Sequence, residues 1–417
     1  MLEKKSIAVL IPGVAALWLV ATPCAQAGSS DPQEFTEIER GRYLAITSDC
    51  VSCHTVPGGK PFAGGRPIET PFGNIVAPNI TPDLDTGTGA WSDEAFDAAV
   101  RGGVRPNRAR LYPAMPYNAY AKMSRDDVRA IRAYLNTVDA VRNAVIANTL
   151  PFPFNIRATM RIWDALYFKQ GEFKPDPSKS AEWNRGAFLV DGPAHCGACH
   201  TPKTFLGGDR TDLYLQGSYL QGWSAPDITD DKRTGLGNWS VADIASYLKT
   251  GHNGITAATG PMAEAVSLST SHMTDDDTKA IAIYLKSLPG TASDATPLAA
   301  DSATMSAGSA IYRDQCSACH GIEGKGVAKL FPAVASSSMV RSGDPTTAIR
   351  IVLRGARSVG TRAEQTAPGM PSYGWQLDDG EVAAVLNYIR NSWGGAAPAI
   401  ESKDVSRVRS DTASRPD

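Results

Sequence analysis

The sequence lacks an excess of charge of either sign. Its 41 lysine and arginine residues nearly balance 43 aspartate and glutamate residues, which leaves a net charge of −2. This balance gives no sign of nucleic-acid binding and argues against steering of partners by a strong overall field. Also lacking are the G-x-G-x-x-G turn of a dinucleotide fold and any evident Ser/His/Asp or metal-hydrolase motif. We therefore expect no substrate-oxidising or hydrolytic site on this chain.

Long apolar runs are absent beyond the first residues. Lys4 and Lys5 precede an apolar stretch, which ends shortly before an A-x-A cleavage site at Ala25 to Ala27. This order is typical of an export signal, and the stretch is short for a membrane span. We predict a signal peptide over 1–27, with an uncleaved anchor as the alternative. Membrane attachment of the mature chain is then expected to be peripheral or through a partner.

Cysteine is scarce, and six of the seven cysteines fall in one motif that occurs three times. In C-x-x-C-H the two thiols lie one helical turn apart, so both can form thioethers with one haem while the histidine binds its iron. The sequence therefore predicts three covalently bound haems c. The motif residues are Cys50, Cys53 and His54, then Cys196, Cys199 and His200, then Cys316, Cys319 and His320.

Two other functions of a C-x-x-C pair fit these motifs less well. Zinc needs four ligands, whereas each pair here carries its own histidine. A redox-active pair is more natural alone, near a βαβ pattern and without the following histidine. Haem attachment is the interpretation that uses every residue of all three motifs.

The sequence around each motif also repeats. A glycine and an aromatic residue precede each motif on a helical pattern, and a capped amphipathic helix closes each repeat. We therefore predict an all-α fold of three tandem domains, each wrapped around its own haem. The closing helices are expected to begin after the N-cap residues Ser124, Thr274 and Asp378.

Composition sets the predicted boundaries. The segment that connects the first two repeats is too aromatic for a solvated linker, so it is expected to pack between domains one and two or against a partner protein. The second connecting segment is rich in Ala, Ser and Thr and is typical of a flexible linker, on which the third domain could move. The charged C-terminal tail is predicted to be disordered. The ranges are 28–145 for domain one, 146–180 for the aromatic connection, 181–290 for domain two, 291–305 for the flexible linker, 306–393 for domain three and 394–417 for the tail.

Each domain offers a methionine beside a proline as the second axial ligand of its iron. Methionine there gives a six-coordinate electron carrier, whereas an open site would allow peroxide chemistry. Met123 and Met273 compete for this role, but each directly precedes an N-cap. Domain three has Leu377 at that place, and leucine cannot bind iron. The predicted axial ligands are therefore Met115, Met262 and Met370.

Two further groups keep two interpretations each. Arg101, Arg105, Arg108 and Arg110 either neutralise haem propionates or form a solvated charged face. His195 borders the second motif, where it either tunes the haem or has a surface or hydrogen-bonding role.

With these residues in hand, the chain resembles the three-haem cytochrome c subunits of membrane-bound alcohol, gluconate, sorbitol and fructose dehydrogenases of bacteria. The resemblance covers nearly all of the mature chain and is carried by the motif spacing and by residues 79–92 and 111–117. It implies three tandem class I cytochrome c-like domains. It also implies a large periplasmic dehydrogenase subunit carrying flavin or PQQ as partner, and delivery of electrons to ubiquinone at the outer face of the inner membrane.

Three other functions stay open on the sequence. One is the cytochrome subunit of a molybdenum-containing aldehyde or N-heterocycle dehydrogenase, and another is a free periplasmic multihaem electron carrier. A haem peroxidase is the third, and the three methionine candidates oppose it because a peroxidase needs an open iron site.

Overall fold

The computed structural model describes residues 32–291 and 295–413, so the predicted signal peptide over 1–27 lies outside the described residues. Helices dominate, and the only sheets in these two stretches are three two-stranded antiparallel hairpins. The predicted all-α fold is confirmed.

Domain one consists of five helices and one hairpin. They are α1 (Pro32–Thr47), α2 (Cys50–His54), β1 (Pro67–Thr70), β2 (Gly73–Val76), α3 (Asp93–Gly102), α4 (Tyr117–Tyr120) and α5 (Arg125–Leu135). The first and last helices cross at Gly41, where a side chain would collide with the carbonyl of Ala130. The predicted N-cap is confirmed, because Ser124 and Asp127 form a capping box at the start of α5.

The aromatic connection folds against both neighbouring domains. A 3₁₀ turn (Arg157–Thr159) leads into α6 (Met160–Tyr167). The Trp163 indole Nε1 donates to the Leu206 carbonyl of domain two at 3.1 Å, and the Tyr117 hydroxyl of domain one donates to Asp164 at 2.8 Å. One face of α6 therefore helps to join domains one and two.

Domain two repeats the plan of domain one. Its elements are α7 (Ala181–Asp191), α8 (Gly197–His200), β3 (Gln216–Leu220), β4 (Trp223–Asp227), α9 (Val241–Thr250), α10 (Gly260–Leu268) and α11 (Asp275–Lys286). Short 3₁₀ turns stand at Thr211–Leu213 and Thr270–His272. Thr274 caps α11 as predicted, and a side chain at Gly186 would collide with the carbonyl of Ala280. The crossing of first and last helices thus recurs.

Domain three keeps the same helix crossing in a shorter chain. Its elements are α12 (Ala303–Ile311), a π-helical turn (Tyr312–Cys316), α13 (Ser317–His320), α14 (Ser338–Arg341), α15 (Thr346–Arg354), β5 (Ala356–Arg357), β6 (Gly369–Met370), α16 (Asp379–Asn391) and α17 (Ser402–Thr412). Gly308 lies against the Ala384 carbonyl, and Asp378 caps α16 as predicted.

The disorder predicted for 394–417 is wrong over the last helix, α17. Val405 and Val408 are buried in one core cluster with Ile400 and with residues of α15 and α16. Arg409 also donates to Asp379 and to the carbonyls of Gly374 and Leu377. A few correctly spaced apolar side chains thus dock this charged segment, which the composition alone did not indicate.

Domain two packs against domain three through polar and apolar contacts. Ser224 and Thr347 exchange two hydrogen bonds of 2.7 and 3.0 Å, and the Arg350 guanidinium lies 4.4 Å from the centre of the Trp223 ring. Val359 is buried in a cluster with Val266 of domain two. These contacts contradict the expectation that the third domain moves independently of the first two.

Domain one also contacts domain two directly. The Tyr43 hydroxyl donates to Asp277 at 2.6 Å and accepts from the Thr274 backbone at 3.1 Å, so a side chain of domain one completes the start of α11. Across residues 32–291 and 295–413, each helix is too short or too polar to cross a bilayer.

Candidate haem sites

The three C-x-x-C-H motifs adopt the same local structure. The motif histidine ends a short helix in each domain, namely α2, α8 and α13. The six motif cysteines form no disulfides within the described residues. Both thiols of each pair thus remain available for thioethers to one haem.

Each motif histidine makes the same hydrogen bond. Nδ1 of His54 lies 2.7 Å from the Pro78 carbonyl, Nδ1 of His200 lies 2.7 Å from that of Pro226, and Nδ1 of His320 lies 2.9 Å from that of Pro332. A carbonyl only accepts, so Nδ1 carries the proton and Nε2 keeps the lone pair that a haem iron needs. Burial lowers the pKa of all three histidines, although the carbonyl bond opposes it, and this favours the neutral ligand.

The cysteine surroundings suit thioethers rather than thiolate chemistry. Burial raises the pKa of Cys50 and of Cys196 to about 12, and that of Cys316 to about 11. A redox-active C-x-x-C pair needs the opposite shift, because the thiolate is its reactive form. Within the described residues, no three His, Cys, Asp or Glu side chains gather as a metal site requires. The arrangement thus fits the haem interpretation better than the redox or zinc interpretations.

In domains one and two, the predicted methionine ligand packs against the same hydrophobic core as a motif cysteine. Met115 and Cys50 pack against one cluster of domain one, and Met262 and Cys196 pack against one cluster of domain two. In domain three, Met370 and Cys316 border two clusters that share Ile311 and Met339. The third pair is therefore joined less directly than the first two. Ligation of iron by these methionines stays a prediction.

A tyrosine near the methionine is tied to the motif in two of the domains. In domain one, the Tyr120 hydroxyl donates to the Ser48 carbonyl at 2.7 Å. In domain three, the Tyr373 hydroxyl donates to the Gln315 carbonyl at 2.9 Å. These bonds connect the methionine side of each site to the residues just before its first cysteine. No sequence pattern indicated them.

The competing methionines lie in the core. Met123 is fully buried, and Met273 is 1% exposed. Each packs in the main cluster of its domain, directly before the N-cap of the closing helix. This is the structural role that the sequence predicted for them.

The structure decides in part between the two interpretations given for the arginine cluster and for His195. Arg101 is buried and pairs with Asp97 and Glu172, so its charge already has partners within the protein. His195 Nδ1 lies 2.8 Å from the Pro193 carbonyl, which is the hydrogen-bonding role. His252 lies at the interface with domain three, where its Nε2 is 3.0 Å from the Val359 carbonyl.

The first and second motifs lie close to each other. Helix α2, which carries the first motif, contacts α10 of domain two. Arg66 spans the gap, since its Nη1 donates to the Ser52 carbonyl inside the first motif at 2.6 Å and its guanidinium binds Glu264 on α10. That helix also carries Met262. The first two sites are therefore linked by one ion pair.

Comparisons with known proteins agree with this geometry. The sequence model of the cytochrome c family matches residues 38–139, 184–289 and 305–393, one stretch in each domain. The gluconate 2-dehydrogenase cytochrome c subunit of Pantoea cypripedii is 41% identical over 395 residues, which are 90% of each chain. The cytochrome c subunit of the alcohol dehydrogenase (quinone) of Gluconobacter oxydans is 36% identical, over 95% of this chain and 86% of its own.

A third relative has a different length. A nicotinate dehydrogenase subunit of Pseudomonas putida is 40% identical over 374 residues, which are 87% of this chain but only 31% of that protein.

Three cytochrome c matches and three complete motifs mean that the chain carries three covalent haems c and works in electron transfer. The chain belongs to the cytochrome c family and, within it, to the cytochrome c subunits of gluconate, alcohol and fructose dehydrogenases.

Proposed function

We propose that this chain takes electrons from a periplasmic dehydrogenase subunit carrying flavin or PQQ and passes them to ubiquinone in the inner membrane. The partner oxidises an alcohol, a polyol or a sugar acid such as gluconate. The proposal places the chain on the outer face of that membrane, attached peripherally.

In this proposal each haem is held by one set of four residues. The two motif cysteines would form the thioethers, and the motif histidine, through Nε2, and the methionine would bind the iron. A bound haem would supply a one-electron couple. Ligation of its iron by histidine and methionine would suit it to electron transfer. The sets are Cys50, Cys53, His54 and Met115, then Cys196, Cys199, His200 and Met262, then Cys316, Cys319, His320 and Met370.

The observation that carries the proposal is a hydrogen bond from the motif histidine to a proline carbonyl, which recurs in all three domains. Because it fixes Nδ1 as the protonated nitrogen in His54, His200 and His320, each Nε2 is available to iron in the same tautomer. Three equivalent sites, with no substrate-oxidising motif in the sequence, suit a relay rather than an enzyme with its own substrate.

The contacts between domains support an order for the relay. Domain two contacts domain one through Arg66 and Glu264, and it contacts domain three through Ser224 and Thr347. Domain two therefore lies between the other two on a route for electrons through the chain.

A second candidate partner is a dehydrogenase for an N-heterocycle such as nicotinate, because of the 40% identity to the nicotinate dehydrogenase subunit. The length comparison favours the first candidate. The gluconate dehydrogenase subunit aligns with this chain over 90% of both, whereas the nicotinate enzyme subunit is mostly made of sequence that this chain does not match.

Isolation of the chain from its native membranes in mild detergent tests the proposal. The expected companion is a flavoprotein or quinoprotein of dehydrogenase size that reduces the haems when gluconate or an alcohol is added. A molybdenum protein active on N-heterocycles would replace the partner but keep the relay. Recovery of the chain alone, in the soluble fraction, would contradict the proposal in favour of a free carrier.

A further inference from the structure

Exposed apolar side chains concentrate in the connection between domains one and two. Of the fourteen large apolar side chains found exposed among the described residues, five lie between positions 146 and 166. Phe152 is 79% exposed, Ile162 65% and Leu166 59%. Such a concentration normally marks an interaction site rather than a solvated surface.

The five side chains of this connection lie outside the parts of the chain that match the cytochrome c family. The segment falls between the first two matched cytochrome c stretches, 38–139 and 184–289. On α6, Trp163 and Asp164 are buried against the domains, whereas Ile162 and Leu166 stand one helical turn apart on the outer face. Beside them, the loop that accepts the Trp163 hydrogen bond exposes Phe205. The face of α6 that carries Trp163 packs against the domains. The face that carries Ile162 and Leu166 has no packing partner within the described part of the chain.

The charges of this segment that lack an ion-pair partner are positive. Residues 146–172 contain two acidic residues, and both are paired: Asp164 with Arg110 at 3.1 Å, and Glu172 with Arg101 at 2.9 Å. Arg161 and Lys169 are exposed, and neither forms an ion pair with another described residue. The apolar side chains are therefore flanked by cations that lack a carboxylate partner across residues 32–291 and 295–413.

We infer that this surface rests on an anionic lipid bilayer. We call it the α6 surface, and it comprises Phe152, Ile156, Ile162, Leu166, Phe205 and Leu206, with the cations Arg161 and Lys169. Apolar tips on an interfacial helix, flanked by Lys and Arg, are the features that bind lipid headgroups and enter the upper acyl region. The apolar tips project from separate turns, which suits a deformable bilayer better than a shaped protein groove.

The test is sedimentation of the purified haem-loaded protein with vesicles. Vesicles of phosphatidylethanolamine and phosphatidylglycerol should bind it, vesicles of phosphatidylcholine should bind it weakly, and added salt should weaken binding to the anionic vesicles. Each cation near an anionic surface contributes about fivefold to binding, so we expect Arg161→Gln/Lys169→Gln to weaken the binding about 25-fold.

The apolar contribution has its own variant and its own control. Ile162→Ser/Leu166→Ser should weaken binding about tenfold or more, because the helix loses its bilayer-facing side chains. Leu84→Ser is the matched control, since Leu84 is 71% exposed but stands between Asp83 and Asp85. It should bind vesicles like the wild type.

Two results would overturn the inference. One is wild-type binding that is equal for anionic and neutral vesicles, or absent from both. The other is an Ile162→Ser/Leu166→Ser protein that binds anionic vesicles normally but no longer co-purifies with the dehydrogenase subunit, which would make the α6 surface a protein interface.

The inference rests on the proposed quinone-linked role, and the two can fail separately. A protein that binds anionic vesicles through the α6 surface but never passes electrons to ubiquinone would refute the proposed function alone. A protein that reduces a soluble quinone analogue but ignores vesicles would refute the α6 inference alone.

Discussion

Arg66 of domain one and Glu264 of domain two form an ion pair that joins the first two haem motifs. Arg66 Nη2 lies 2.9 Å from Glu264 Oε2, and Arg66 Nη1 also donates to the Ser52 carbonyl between Cys50 and Cys53. Glu264 stands two residues after Met262. Each member of the pair thus places a charge beside a site of the relay, and the charges have opposite sign.

Removing these charges should shift reduction potentials in opposite directions. Arg66→Gln removes a cation and should lower the potential of the nearest haem, because the oxidised iron is the more positive form. Glu264→Gln should raise it, with both shifts on the order of tens of millivolts. Redox titration followed by absorbance measures them, and Arg129→Gln, at an exposed pair with Glu37, serves as the control. Shifts of the same sign would indicate mere disruption of the interface.

The assignment of Met115 rather than Met123 as the iron ligand predicts opposite effects of the two alanine variants on the haem and on stability. Met115→Ala should change the spectrum and potential of the first haem. Met123→Ala should leave both nearly unchanged but reduce the free energy of unfolding by about 2–5 kcal/mol, because Met123 is fully buried in the core. Urea unfolding and redox titration of both variants check this. A normal potential in Met115→Ala would show that the ligand assignment is wrong.

The helix crossing of domain two should tolerate no side chain at Gly186. A Cβ there would meet the Ala280 carbonyl, so Gly186→Ala is expected to cost about 1–3 kcal/mol of unfolding free energy. Gly171→Ala is the matched control, because a Cβ at that position would have no atom within 4 Å beyond its chain neighbours. Equal stability of the two variants in urea would contradict the close approach of α7 and α11.

The contact between Tyr43 and Asp277 should make stability depend on acid pH. Burial alone would raise the pKa of Asp277, but hydrogen bonds from Arg185 and Tyr43 and the charge of Arg185 outweigh it, so the pKa is lowered. A carboxyl of lowered pKa contributes stability above its unfolded value of about 3.9, and loses this contribution as pH falls through the folded pKa.

Unfolding in urea between pH 6 and pH 3 measures this effect. Wild-type stability should fall below about pH 4, and Asp277→Asn should be less stable at pH 6 with a shallower fall on acidification. Asp275→Asn, at a neighbouring position that is 91% exposed, is the control. An Asp277→Asn protein with the wild-type pH profile would rule out this contribution.

The C-terminal helix should stabilise domain three. Val405 is fully buried, so Val405→Ala is expected to reduce the free energy of unfolding of this domain by about 1–3 kcal/mol. Arg407→Ala, at a side chain that is 61% exposed, should stay within about 0.5 kcal/mol of wild type. Thermal unfolding followed at the third haem distinguishes the two, and an unaffected Val405→Ala would argue against the docking of α17.

Much of the site could be predicted because its chemistry is local in sequence. Cys50, Cys53 and His54 lie within one helical turn, and the N-caps Ser124, Thr274 and Asp378 act on amides three residues away. The carbonyl partners of the histidines could not be found this way, because Pro78 lies well beyond the motif and only the folded loop brings it to His54.

Other features depend on tertiary contacts that composition obscures. The α17 segment is mostly charged and polar, yet Val405 and Val408 suffice to dock it on α15 and α16. The interface of domains two and three depends on a hydroxyl, Thr347, meeting the backbone of Ser224. Neither residue type, taken alone, indicates an interface.

The passage of electrons from a dehydrogenase subunit through this chain to ubiquinone is the central claim. The most direct measurement is anaerobic absorbance of the detergent-isolated complex during addition of the partner's substrate and then of a ubiquinone analogue. We predict that the substrate reduces the haems and that the quinone then reoxidises them within the time of one catalytic turnover. Haems that the substrate does not reduce, or that stay reduced when the quinone is added, would contradict this role.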